Sequence, residues 1–163
     1  MIRELSALIL GFGLSVLVFL LTKVLAKEYK KPLPLLDSSC WPLFVAPVLF
    51  VISRYLPTFY SFTHNLTFIQ HMVGGGFVSA LLFLYMINAL NIRLTTLLRF
   101  SALFALVSSL GVLNEMLEFF VTKTGIYSVD GSDVWWDLVA NTVGAFLFYG
   151  LYILATWNAF REK

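Results

Sequence analysis

Long apolar runs set the reading of this chain. Four of them reach the roughly 20 residues that cross a bilayer at about 1.5 Å per residue. They are 5–26 (LSALILGFGLSVLVFLLTKVLA), 68–90 (FIQHMVGGGFVSALLFLYMINAL), 101–121 (SALFALVSSLGVLNEMLEFFV) and 136–157 (WDLVANTVGAFLFYGLYILATW). A fifth run, 40–56 (CWPLFVAPVLFVISRYL), is shorter and contains Pro42 and Pro47. Transmembrane helices tolerate proline where neighbours cover the freed backbone groups. The pattern predicts an all-α, polytopic transmembrane helical bundle of about five spans, with residues 1–163 forming one integral membrane domain.

Composition supports the same solvent. Hydrophobic residues make up 60% of the chain and charged residues 12%, with a mean hydropathy of +0.87, too few polar groups to cover a water-facing surface. The single cysteine, Cys40, excludes an intramolecular disulfide framework and a multi-cysteine zinc site. The net charge is only +2, so the placement of charge says more than its sum. No nucleic-acid partner is expected; the partners expected are membrane lipids.

Five spans place Lys23, Lys27, Lys30, Lys31, Arg93, Arg99, Arg161 and Lys163 on one side, leaving Arg3, Arg54 and Lys123 on the other. Four spans divide the basic residues almost evenly. The positive-inside rule therefore selects five, with the N-terminus outside and the C-terminus cytoplasmic in a cell membrane (plasma or inner). The first run is too long for a signal-peptide core and is expected to be a retained helix. The basic, proline-marked connection 27–39 (KEYKKPLPLLDSS) has the composition of a segment that meets cytoplasmic headgroups.

Against this background the polar insertions stand out. The chain has nine acidic residues, and two of them, Glu115 and Glu118, interrupt the apolar stretch SSLGVLNEMLEFFV, 108–121. Spaced i and i+3 they share a helix face, roughly 9 and 5 Å below the outer end of that helix. Asn114 borders them, and Gly111 one turn below would let a neighbour approach. The last span opens SDVWWDLVANTVGA, where Asp133, Asp137 and Asn141 form one stripe, continued by Ala145 and Tyr149. Trp135 and Trp136 mark the interface, and Asp133 is equally well read as the helix N-cap. The segment IQHMVGGG, 69–76, brings His71 to the outer start of its span. Three helices thus carry His71, Glu115, Glu118, Asp137 and Asn141 to a similar depth.

Those five are the candidate catalytic residues. His71, Glu115, Glu118 and Asp137 are also the candidate metal ligands, an oxygen-rich set with one imidazole that suits Mg²⁺, Mn²⁺ or Zn²⁺. A divalent cation is therefore the candidate cofactor, its identity open. The same carboxylates could act as acid and base, or as a cation or proton relay. Helical spacing does not separate these. A structural reading also stands, in which Asn141 is interhelical glue, Glu118 reaches headgroup water and His71 is a hydrogen-bonded interfacial residue. The triplet Gly74–Gly76 lies inside a span, where close helix packing explains it better than phosphate binding, and the sequon at Asn65 reads as chance.

NEMLEFF, a short loop and DVWWDLVANTVGAFLFYG together resemble the signature of the VanZ-like membrane proteins. Asp137, Asn141, Thr142, Gly144 and Ala145 match its D-x3-N-T-x-G-A, and Glu115 or Glu118 its glutamate. Phe119 and Lys123 stand where that family carries glutamine and arginine. The doubled acid and the WWD are closer to the related YjdF-like inner-membrane proteins, which share a histidine opening an earlier span. The resemblance spans roughly 68–150. It implies a polytopic cell-membrane protein that binds or acts on an envelope precursor or lipid component.

Overall fold

The computed structural model describes residues 2–28, 40–61, 64–124 and 134–161. Asp133 and the connections 29–39 and 125–133 lie outside the described residues. Among the described residues six α-helices carry the fold: α1 (Ile2–Glu28), α2 (Trp41–Ser53), α3 (Phe68–His71), α4 (Val78–Ala89), α5 (Thr96–Lys123) and α6 (Val134–Arg161). Between α3 and α4 the backbone passes through a π-helical segment, Met72–Phe77, so that Phe68–Ala89 forms one continuous rod. The chain is an all-α membrane bundle. Among the described residues, Phe68–Ala89, Thr96–Met116 and Val134–Thr156 are long and apolar enough to cross a bilayer.

The helices match four of the expected runs; α1, α5 and α6 extend beyond theirs by a few residues, and the rod Phe68–Ala89 ends one residue short of its run. The fifth differs. With 13 residues, α2 is about 20 Å long, against about 30 Å of hydrocarbon. It stops at Ser53, whose Oγ donates to the Phe50 carbonyl at 2.7 Å, and a turn through Tyr55 and Leu56 follows. A small antiparallel hairpin, β1 (Phe59–Ser61) and β2 (His64–Leu66), then leads into α3, pairing Phe59 with Leu66 and Ser61 with His64. The expected helical pattern held no strand here. Aromatic residues suit a pleated edge, and the segment is too short to register as an element by periodicity.

The central rod is the hub. In its spanning window 61% of the residues are buried, against 17% for α5 and 28% for α6. One core cluster gathers Ala80, Phe83, Leu84 and Ile87 of α4 with Leu103 and Val107 of α5 and Ala145 and Tyr149 of α6. A second joins Val18 of α1, Ala46 of α2 and Val78, Leu81, Leu82 and Tyr85. Large apolar side chains cover the outside, among them Phe12, Leu20 and Val24 on α1 and Leu147, Leu151 and Leu154 on α6. Water would penalise such a surface; hydrocarbon does not.

Glycines set the distances within the bundle. A Cβ on Gly11 would stand 3.3 Å from the Pro47 backbone, so α1 and α2 are nearly in backbone contact. A Cβ on Gly74 would meet the Ser53 hydroxyl. Gly76 faces α6 more closely still: its Cβ would lie 2.7 Å from the amide nitrogen of Ala145 and 2.8 Å from the Cα of Gly144. The place of a Gly144 Cβ is taken by the Met72 carbonyl. Small residues at helix contacts in lipid permit this approach, which is held by dispersion and weak Cα–H···O contacts. The triple glycine therefore serves packing, as its position inside a span suggests.

Candidate functional site

At the end of the bundle where α3 and α6 begin, polar groups converge. His71 closes α3 in the turn before the π-helical segment, and its Nε2 lies 3.3 Å from Asp137 Oδ2 on the first turn of α6. The other carboxylate oxygen, Oδ1, accepts from the Thr67 hydroxyl at 3.3 Å. Both side chains are largely enclosed, with 22% of His71 and 13% of Asp137 exposed. Thr67 lies one turn before His71 and its carbonyl accepts the His71 amide at 3.0 Å, so one helical turn presents both donors to a single carboxylate. Gln70 ties this turn down by donating from Nε2 to the Leu56 carbonyl at 2.8 Å.

One turn deeper, Asn141 is buried at 8% exposure between three elements. A Cβ on Gly75 would collide with its amide, and one on Gly111 would come within 3.7 Å of its Nδ2. Glycine on both sides makes the room that this side chain occupies. Its Oδ1 has no hydrogen-bond partner within the protein. A buried carbonyl oxygen left in this state costs about 1–3 kcal/mol, which is tolerated where another requirement holds the residue.

Glu115 occupies the neighbouring side of the same end. It lines a cavity of about 420 Å³ between the last turns of α5 and the first turns of α6, walled by Val112, Met116, Phe119, Phe120, Val134 and Leu138. The lining is apolar apart from the carboxylate. Gly111, one turn below Glu115, is packed by the Leu138 side chain, 2.6 Å from where its Cβ would be.

Of the five residues singled out in the sequence, His71 and Asp137 are in contact, Asn141 lies one turn from Asp137 along α6, and Glu115 shares a cavity wall with Leu138, the residue after Asp137. The Glu118 side chain lies outside the described residues. Among the described residues no three His, Cys, Asp or Glu side chains gather as a metal site would require. The proposed four-ligand set is thus represented by one pair, His71 and Asp137. Sequence reasoning missed Thr67 and Gln70. Their signal was the i, i+3 and i, i+4 spacing of Thr67 to Gln70 and His71, polar positions on the first turn of an otherwise apolar helix.

The chemistry available is that of an oriented imidazole. A carboxylate that accepts from Nε2 fixes the ring and leaves Nδ1 as the second proton-carrying position. The Thr67 hydroxyl holds the carboxylate from its other side. Comparison with models of known protein families, with curated proteins and with solved structures returned no match.

Proposed function

We propose that this chain is a VanZ-like cell-membrane protein whose polar site binds, or acts by acid–base catalysis on, an envelope precursor or lipid component. The observation that carries the reading is the His71–Asp137–Thr67 cluster at one end of the bundle. An enclosed ionisable pair in a membrane protein is costly to keep and marks function by default. Beside it, the apolar cavity with Glu115 on its wall offers room for the hydrocarbon part of an amphiphile. In this mechanism Asp137 orients the His71 ring, His71 exchanges a proton with the substrate headgroup, and Glu115 faces a hydroxyl or cationic group of the same molecule.

A transport path is less well supported. Below Asn141 the helices close on one another, Gly76 against Ala145 and Gly144 against the Met72 carbonyl. Between α6 and the π-helical segment these contacts leave no gap for a hydrated ion. A one-sided site is consistent with that seam.

Expression of the wild-type chain is expected to raise the tolerated dose of an envelope-targeting agent. Asp137→Asn and His71→Gln are expected to abolish the gain, and Glu115→Gln to reduce it more than Glu118→Gln. Wild-type behaviour of all four variants at equal membrane abundance would leave the cluster a packing feature. An equal loss on Glu118→Gln would remove the special role of Glu115.

The reading also places this site outside the cell, with the N-terminus out and the C-terminus cytoplasmic. In a Cys40→Ala background, a cysteine at Thr124 is expected to react with an impermeant maleimide on intact cells. One at Thr95, at the other end of α5, should react only after permeabilisation. The reverse pattern would invert the topology and with it the outward site.

A further inference from the structure

The short helix α2 has two distinct faces. Pro42, Ala46, Pro47 and Ser53 are buried against the bundle. Trp41, Phe44, Val45, Val48, Ile52 and Tyr55 are exposed. The exposed positions recur every three or four residues, so they form one stripe along the helix and the turn that follows it. That stripe is aliphatic in its middle and ends on Trp41 and Tyr55, the two residue types enriched where a membrane meets water. At about 1.5 Å per residue, these two ends stand at most about 21 Å apart, against about 30 Å for ordinary hydrocarbon.

Contacts with the central rod fix where that stripe lies. At one end of α2, the Ser53 hydroxyl stands against Gly74, and Gln70 donates to the carbonyl of Leu56 at 2.8 Å. At the other end, Cys40 shares a core cluster with Leu82 and Tyr85. The rod itself runs from Phe68 to Ala89. It therefore outreaches α2 by roughly 9 Å beyond Gly74 and roughly 6 Å beyond Tyr85. The helix is short at both ends, and most of all at the end where α3 begins.

What replaces the missing helix at that end is an exposed turn through Arg54, Tyr55 and Pro57. Irregular backbone facing lipid is not found within hydrocarbon, where its N–H and C=O groups have no partner, so the hydrocarbon on this side stops at Tyr55. A span shorter than the bilayer is accommodated by thinning the bilayer, by snorkelling of its flanking side chains or by oligomerisation. Arg54 does not reach away from the membrane centre. Its guanidinium folds back over the Phe50 ring, one turn earlier in α2, with Cζ 6.0 Å from the centroid. A cation held at this depth is costly in hydrocarbon. Phosphates drawn down beside it remove that cost and offer the oxyanion that a guanidinium matches.

We infer that α2 is a bilayer-thinning face: along its stripe the hydrocarbon narrows to about 20 Å, and phospholipid headgroups descend to Arg54, which holds a lipid phosphate. The other long helices keep the ordinary thickness, so the membrane is stepped around the bundle. On the thinned side the headgroups reach the level of Gly74, one turn below His71. The inference concerns the membrane around α2 and stands whatever the chemistry of His71 and Asp137.

Depth-dependent quenching of the full chain in phosphatidylcholine vesicles tests it. In a Cys40→Ala background, Ile52→Cys carries a fluorophore on the exposed stripe of α2, and Val143→Cys carries one on the exposed face of α6. Ile52 precedes Ser53, which meets Gly74, and Val143 lies just past Asn141, which meets Gly75, so both labels sit at nearly one level of the bundle. The vesicles contain lipid bearing a nitroxide at the headgroup or at the end of the acyl chain. The label at Ile52 is expected to be quenched more by the headgroup nitroxide, and the label at Val143 more by the chain-end nitroxide. Arg54→Leu should move the Ile52 label toward the chain-end pattern, and Arg54→Lys, which keeps a charge, should not. One common pattern at both sites would mean a bilayer of uniform thickness and overturn the inference. A label at Ile52 shielded from both nitroxides would mean that protein covers α2, and would overturn it equally. Quenching unchanged by Arg54→Leu would remove the phosphate from Arg54. Should Arg54→Leu not fold, Arg54→Gln takes its place.

Discussion

Gly144→Ala is expected to be among the most damaging single changes this chain can carry, lowering stability by about 3 kcal/mol, the upper part of the range for overpacking. The added methyl has no free space, because the Met72 carbonyl oxygen stands where the Cβ would go and the Met72 carbonyl carbon is 2.8 Å from it. A clash with a flexible side chain would relax by a rotamer change. This one is with backbone, so α6 and the π-helical segment would have to separate along the seam that seals the bundle. Gly150 lies less than two turns further along α6 and has nothing within 4 Å of its Cβ position. Gly150→Ala is therefore expected to be neutral or to stabilise by up to about 1 kcal/mol, the ordinary helix preference of alanine over glycine. Unfolding both variants in mixed detergent and SDS separates the cases. Equal midpoints would mean that the two helices do not approach as closely as this packing requires.

The same seam shows what could and could not be read from the amino-acid sequence. Spans were legible because hydrocarbon demands length and apolarity, and both are properties of a string. The His71–Asp137 contact was legible because a histidine and an aspartate are exceptional in such runs. Which way a residue faces was harder. In water, a helix shows its buried side as an apolar stripe; in lipid both sides are apolar, and the stripe disappears. Arg99 illustrates this. By charge it belongs with the basic residues at one membrane face, yet the structure half-buries its side chain and encloses its Nε.

The triple glycine is a second case. Its packing role followed from composition, but the π-helical widening at Met72–Phe77 did not. An i→i+5 turn depends on what presses against it, here Asn141, Gly144 and Ala145 of α6, and that partner is some 70 residues away in the chain. π-helical turns inside α-helices frequently accompany functional sites, and this one directly follows His71. It joins the residue that carries the proposed chemistry to the contact that closes the bundle beneath it. Local sequence specified the glycines; tertiary packing specified the turn.

His71 and Asp137 are expected to be energetically coupled, which a double-mutant cycle would reveal. Asp137→Ala removes the acceptor of both Nε2 of His71 and the Thr67 hydroxyl, leaving two enclosed polar groups without it. A loss of about 3 kcal/mol follows from the cost of breaking a buried pair on one side. His71→Ala leaves the carboxylate still supported by Thr67 and should cost less. The double variant removes both ends, and its loss should fall short of the sum of the singles by about 1–2 kcal/mol, the range for residues in direct contact. Thr67→Val in place of His71→Ala should give a smaller coupling, since a neutral hydroxyl replaces an imidazole. Each variant is unfolded in the same mixed micelles and its resistance phenotype is measured beside it. Strict additivity, within about 0.5 kcal/mol, would show that the 3.3 Å contact carries no energy, and the proposal that Asp137 orients His71 would fall with it.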